Sequence, residues 1–225
     1  MQKFGIKVGK TAAAVLLAVA PASAAISQFQ TPVGSSTGGQ PVSAKVTFTT
    51  SENTIDVLLE NLQANPTSVT QCISGLFFTL DGGQDGGSLL SSSGLERTVA
   101  GNDTFIDGAM VPTGWSFSNL AGLVRLNVLG TQTAPANLVI GPPGANNLYS
   151  NANGSIAGNG PHNPFLGLSA TFRLSVQGVT ANTLINEATF QFNTSPGNTV
   201  TVPEPVGLTG ALIGVAALAA RRRRA

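Results

Sequence analysis

The sequence predicts an all-β protein, a single sandwich of roughly seven to nine strands built from residues 25–202. Three observations predict it. Apolar and polar residues alternate with period 2 in short runs, and clusters of Gly, Asn, Ser and Pro separate those runs. Between the two termini, no 12-residue stretch keeps a 3.6-residue period. The 178 residues of this body suffice for one core.

Taken in order, Val46, Phe48 and Thr50 alternate in AKVTFTT, and Ile55, Val57 and Leu59 alternate in TIDVLLEN. Residues 69–80 (VTQCISGLFFTL) are rich in β-branched and aromatic side chains and read as one strand. In 123–129, Val124, Leu126 and Val128 share a face opposite Arg125 and Asn127. In 168–176, Ala170, Phe172, Leu174 and Val176 do the same, and runs at 188–193 and 199–202 complete the set. Residues 135–164 are rich in Gly, Asn and Pro and read as an ordered surface excursion. No fixed-period repeat is present.

Charge is unevenly placed. The 225 residues carry a formal net charge of +1, and charged residues are 9% of the total, against about 25% in an ordinary domain. Seven of the 11 basic residues lie in the first 10 or last 5 positions. The body keeps four basic residues against nine acids, a net of −5, so its ends are addressed to different partners from its middle. Few basic residues argue against nucleic acid. One Cys forbids an internal disulfide or a Cys-rich zinc site, and one His forbids an HExxH site.

The first ten residues hold Lys3, Lys7 and Lys10 and no acid, and residues 11–20 (TAAAVLLAVA) are apolar. Pro21 follows, then Ala22-Ser23-Ala24. A basic start, an apolar segment too short to span a bilayer and a small-x-small end make residues 1–24 a signal peptide, helical in its apolar part. Signal peptidase is expected to cut after Ala24, with Ala22 and Ala24 as the recognised small residues, so that the protein is exported.

At the other end, Val202-Pro203-Glu204-Pro205 precedes a 15-residue apolar run, 206–220, then Arg221, Arg222, Arg223 and Arg224. As a helix the run is about 22 Å long, which spans a locally thinned bilayer if the arginines snorkel. The positive-inside rule keeps the arginines cytoplasmic. The two prolines hold the Pro-Glu-Pro tract extended. These three parts in this order resemble the PEP-CTERM sorting signal of Gram-negative bacteria, with the match confined to residues 203–225. The resemblance implies recognition of Pro203, Glu204 and Pro205 by an exosortase, a single transmembrane helix at 206–220, and retention by the Arg cluster. It also implies an inner-membrane-anchored precursor, then a place in the cell envelope or outside the cell with exopolysaccharide or biofilm matrix.

Chemistry has few candidates. His162, in GNGPHNPF, lies between turn-forming prolines without a G-x-S-x-G elbow and reads as a surface or capping histidine. Cys72 lies in an apolar run and reads as a buried thiol. Asp81, Asp85, Asp103 and Asp107 are oxygen donors in Gly- and Asn-rich turns and are candidate Ca²⁺ ligands, though without EF-hand spacing, and such residues also form ordinary turns. No cofactor other than Ca²⁺ is suggested. Trp115 and Tyr149 are the platforms a sugar would use if exposed. The sequons at Asn102, Asn153 and Asn193 read as incidental.

The expected function is that of an exported, non-catalytic envelope or matrix protein. The alternative is a secreted carbohydrate-binding module or carbohydrate-active enzyme with the same tail. Two acids close together in a cleft, or an exposed row including Trp115, favour the alternative. A smooth sandwich with the four aspartates on separate turns favours the first.

Overall fold

The computed structural model describes residues 24–204. The expectations for residues 1–23, Pro205, the 206–220 helix and the Arg221, Arg222, Arg223 and Arg224 cluster lie outside the described residues. No helix among the described residues is long and apolar enough to cross a membrane.

The body is all-β. The strands are β1 (Ala25–Gln30), β2 (Ser36–Thr37), β3 (Gln40–Pro41), β4 (Ala44–Ser51), β5 (Thr54–Asn61), β6 (Ile73–Leu80) and β7 (Ser88–Val99). They continue with β8 (Phe105–Val111), β9 (Ser116–Leu120), β10 (Leu123–Asn127), β11 (Val139–Ile140), β12 (Phe165–Ser175), β13 (Ile185–Phe192) and β14 (Thr199–Pro203). One antiparallel sheet runs β1-β4-β5-β12-β7-β8. The other runs β14-β13-β6-β10-β9. The short β11 joins them at one corner, parallel to β12 and antiparallel to β6.

The two sheets bury their apolar faces against each other. On β4, Ala44, Val46, Phe48 and Thr50 are buried, and on β5 Ile55, Val57 and Leu59. Val124, Leu126 and Val128 of the β10 segment, with Leu76 and Phe78 of β6, line the opposing wall. Phe48 meets Phe78 across the layers with ring centroids 4.5 Å apart, and Phe29 stands edge-on to Phe48 at 5.9 Å. Burial at every second position is what a half-buried strand requires.

The strand count exceeds the expected seven to nine, because β1, β7, β8 and β9 lack a clean apolar alternation. β7 reads SLLSSSGLERTV, and its neighbours β12 and β8 supply the pairing that its own pattern does not announce. Residues 69–71 form a 3-10 turn rather than the start of β6. Gln71, three residues after Ser68, turns its side chain back to the Ser68 backbone N–H at 3.3 Å and closes that turn. The 135–164 segment is ordered, as expected, but it is not a surface excursion. Leu138, Val139, Ile140, Tyr149 and Ile156 are fully buried and close one end of the sandwich.

Both ends of the body leave from the opposite end. Ala25 pairs with Thr50, Ser175 with Thr54, and Pro203 with Glu187, one row beyond the Ile185–Leu80 pair. Thr50 donates to the Thr183 carbonyl at 3.3 Å and Gln84 to the Gly178 carbonyl at 3.4 Å, tying the two sheets at that end.

Replacing Phe48 by Ala removes a ring packed against both layers and should cost about 3–5 kcal/mol. Leu120→Ala, at a residue 75% exposed, should stay within about 0.5 kcal/mol. Urea midpoints at constant m-value check both.

Candidate functional site

Of the residues expected to form a sorting tract, Pro203 and Glu204 are described. Pro203 ends β14, an edge strand where a residue without an N–H is tolerated. Glu204 follows in continuation, its N–H donating to the Asn186 carbonyl at 2.8 Å. Both are exposed, and the chain is extended up to Pro203 as the last residue of β14.

The four aspartates do not converge. Asp81 and Asp85 sit in the β6–β7 loop, where Asp85 accepts from the N–H groups of Gly86 (2.8 Å) and Ala121 (3.1 Å). Asp103 lies at the other end of the 12-residue β7, about 40 Å away at the rise of an extended strand. There Asn102 and Asp103 make the β7–β8 turn, with Asp103 at φ +67° and its N–H bonded to the Ala100 carbonyl. Asp107 is taken by Arg97. Among the described residues no group of three His, Cys, Asp or Glu side chains comes together to hold a metal.

Arg97 centres the main polar cluster of the interior. Arg97 and Asp107 are in register across the β7–β8 hairpin. The guanidinium gives Nε and Nη2 to the two carboxylate oxygens at 2.6 and 2.8 Å and Nη1 to the Tyr149 hydroxyl at 3.0 Å. It lies 4.0 Å from the Phe105 ring centroid, and the Tyr149 hydroxyl donates onward to the Gly141 carbonyl at 2.8 Å. Gly167 makes room: a Cβ there would fall 3.1 Å from Arg97 Nε. Only 4% of Arg97 is exposed. Burial disfavours its charge, but the hydrogen bonds to Asp107 and Tyr149 prevail and hold its pKa above the ordinary arginine value. Arg97 and Tyr149 are buried and bonded to protein groups, while the Asp107 carboxylate keeps about a third of its surface in solvent (36%), so the cluster is a structural clamp at the sheet rim.

The remaining candidates are also structural. Burial pushes the Cys72 thiol far above its usual range, which removes its nucleophilicity. His162 sits inside the 145–164 loop with Nδ1 against the Ser155 carbonyl. Trp115 is 4% exposed, and its indole donates to the Asn137 carbonyl at 2.9 Å, so it offers no sugar platform.

Sequence reasoning missed an open groove of about 440 Å³ on the outer face of the β14-β13-β6-β10-β9 sheet. It is lined by Phe77, Arg125, Asn127, Thr189 and Gln191 among others, contributed by three strands far apart in sequence, with no local motif to announce it.

Tyr149 is the single tyrosine of the chain, so its titration is directly visible. Burial pushes its phenol up to about 12 from an ordinary 10.0, although Arg97 pulls the other way. Between those values the unfolded chain has lost this proton and the native one keeps it. The stabilisation is therefore complete below about pH 10 and disappears as pH rises towards 12. Tyrosinate absorbance at 295 nm should show a midpoint near 12 in the native protein and near 10 in urea. A native midpoint near 10 contradicts the burial of the Tyr149 phenol at the closed end.

Compared with known proteins, the chain matches no protein-family model, no curated protein and no solved structure.

Proposed function

We propose that the protein is an exported, non-catalytic envelope or extracellular-matrix protein whose β-body is the cargo of a PEP-CTERM-type sorting tail. The observation that carries this reading is the order of the tail: Pro203-Glu204-Pro205, the apolar run 206–220, then Arg221, Arg222, Arg223 and Arg224. A membrane helix with a cytoplasmic Arg cluster leaves the Pro-Glu-Pro tract just outside the bilayer, within reach of an exosortase. The exposed Pro203 and Glu204 at the end of an edge strand suit an enzyme that must bind extended backbone. Because Ala25 and Pro203 leave the body at the same end, signal peptidase and exosortase act on that end, and the opposite end projects away from the membrane. Spread over separate turns, the aspartates fit a binding or structural role better than paired-carboxylate hydrolysis.

A second reading, a secreted saccharide-binding module with the same tail, is favoured by the groove on the outer sheet face. It shares the export route and differs only in what the body contacts.

Changing Pro203, Glu204 and Pro205 together to alanine should leave the precursor unprocessed in the membrane fraction. Neutral residues in place of Arg221, Arg222, Arg223 and Arg224 should slow retention and processing. Pulse-chase with fractionation reads both, and normal maturation of the alanine variant would remove the sorting role.

A further inference from the structure

Of the basic side chains in the described body, Lys45 pairs with Glu60 at 2.7 Å, Arg97 with Asp107 and Arg173 with Asp56 at 3.2 Å. Arg125 has no carboxylate within ion-pair distance among the described residues, and it is exposed. Its guanidinium lies 5.8 Å from the Phe77 ring centroid, in the groove on the outer face of the β14-β13-β6-β10-β9 sheet. A cation left unpaired in a body of net charge −5 has acids to choose from and meets none.

The next row of the sheet supplies the neighbours. Asn127, Gly75 and Gln191 stand in register beside Arg125, Phe77 and Thr189. A Cβ on Gly75 would fall 2.8 Å from Gln191 Oε1 and 3.2 Å from Asn127 Cβ, so a bare glycine lets two carboxamides close over the groove floor. Gln191 is 4% exposed, yet it lines the groove. Asn127 Oδ1 is buried without a hydrogen-bond partner. An unsatisfied buried acceptor is costly, and this one lies in the wall of the groove.

We propose that this groove binds an acidic saccharide unit, with the sugar carboxylate on Arg125 and ring hydroxyls on Asn127 and Gln191. A planar guanidinium matches a carboxylate in two parallel hydrogen bonds. Carboxamides both donate and accept, as vicinal hydroxyls demand. Leu123 and Leu129 at the groove edge offer apolar contact to the C–H face of a ring. The comparable groove on the other sheet holds Asp56 and Arg173 already paired, which leaves no free cation there. The Asn127–Gln191 row lies towards the end closed by residues 135–164, away from the strand ends that lead to the tail. The proposal gives a ligand to the saccharide-binding reading above and does not depend on the sorting tail.

The test uses the full-length chain in a polyoxyethylene detergent, run through affinity gels containing polygalacturonate, dextran or polyglutamate. Polygalacturonate should retard the protein, less so as salt rises, and dextran and polyglutamate should not. Arg125→Met should weaken retention at least tenfold, while Arg173→Met, at the paired arginine of the other sheet, should leave it unchanged. Arg125 is exposed, and unchanged Trp115 emission confirms that the variant is folded. No retardation by polygalacturonate, equal retardation by polyglutamate or dextran, or full retention by Arg125→Met would each overturn the proposal. The last outcome would place binding at the terminal basic residues. None of these outcomes bears on processing of the tail, so the site and the sorting role fail separately.

Discussion

Arg97 sits where the β7–β8 hairpin, the β12 strand and the long 135–164 segment meet, and the closed end of the sandwich depends on it. A guanidinium that is 4% exposed is tolerable only if its donors are met. Asp107 meets two of them, and Tyr149 meets a third while its own hydroxyl donates a hydrogen bond to the Gly141 carbonyl. The network therefore fixes the position of Tyr149, and Tyr149 fixes the loop that carries it. Removing Asp107 would leave the buried guanidinium with Tyr149 as its remaining side-chain partner, which is destabilising. The same segment is sewn down by Tyr149 N–H to the Asp103 carbonyl, Val99 N–H to Asn163 and the Trp115 indole to Asn137. A low-charge, Gly-rich chain thus closes its core with one satisfied ionic cluster rather than with a regular element.

What the sequence made legible is what one-sided burial dictates. Val46 and Phe48, Ile55 to Leu59, Val124 to Val128 and Ala170 to Val176 alternate because one face of each strand meets the core. β7 escaped because Ser91, Ser92, Ser93 and Gly94 interrupt any apolar alternation, and β8 because it is an exposed edge with Ile106 and Met110 outside. Thr67, Ser68 and Gln71 hide a 3-10 turn in an apparently β-rich run. The Arg97–Asp107 pair was readable in principle, since each lies five residues from Asn102 in the turn. The groove was not: Gly75 and Gln191 are separated by more than 100 residues, and only sheet register brings them together.

On the proposed reading the molecule has two functional ends. At one, β1 and β14 begin and finish, and the segments that signal peptidase and exosortase would recognise depart together. At the other, the 135–164 segment seals the core, and the Arg125 groove opens on the sheet flank nearby. The +1 of the whole chain averages over this division. Basic residues concentrate in the terminal segments and acids in the body, so maturation at both ends would leave a protein of net charge −5 whose unpaired cation is Arg125.

Mass spectrometry of the mature protein recovered from its own host tests the central claim most directly. The account predicts an N-terminus at Ala25 and a C-terminus within the Pro203-Glu204-Pro205 tract, with or without an attached group. A mature species that retains both residues 1–24 and residues 206–225 would contradict it.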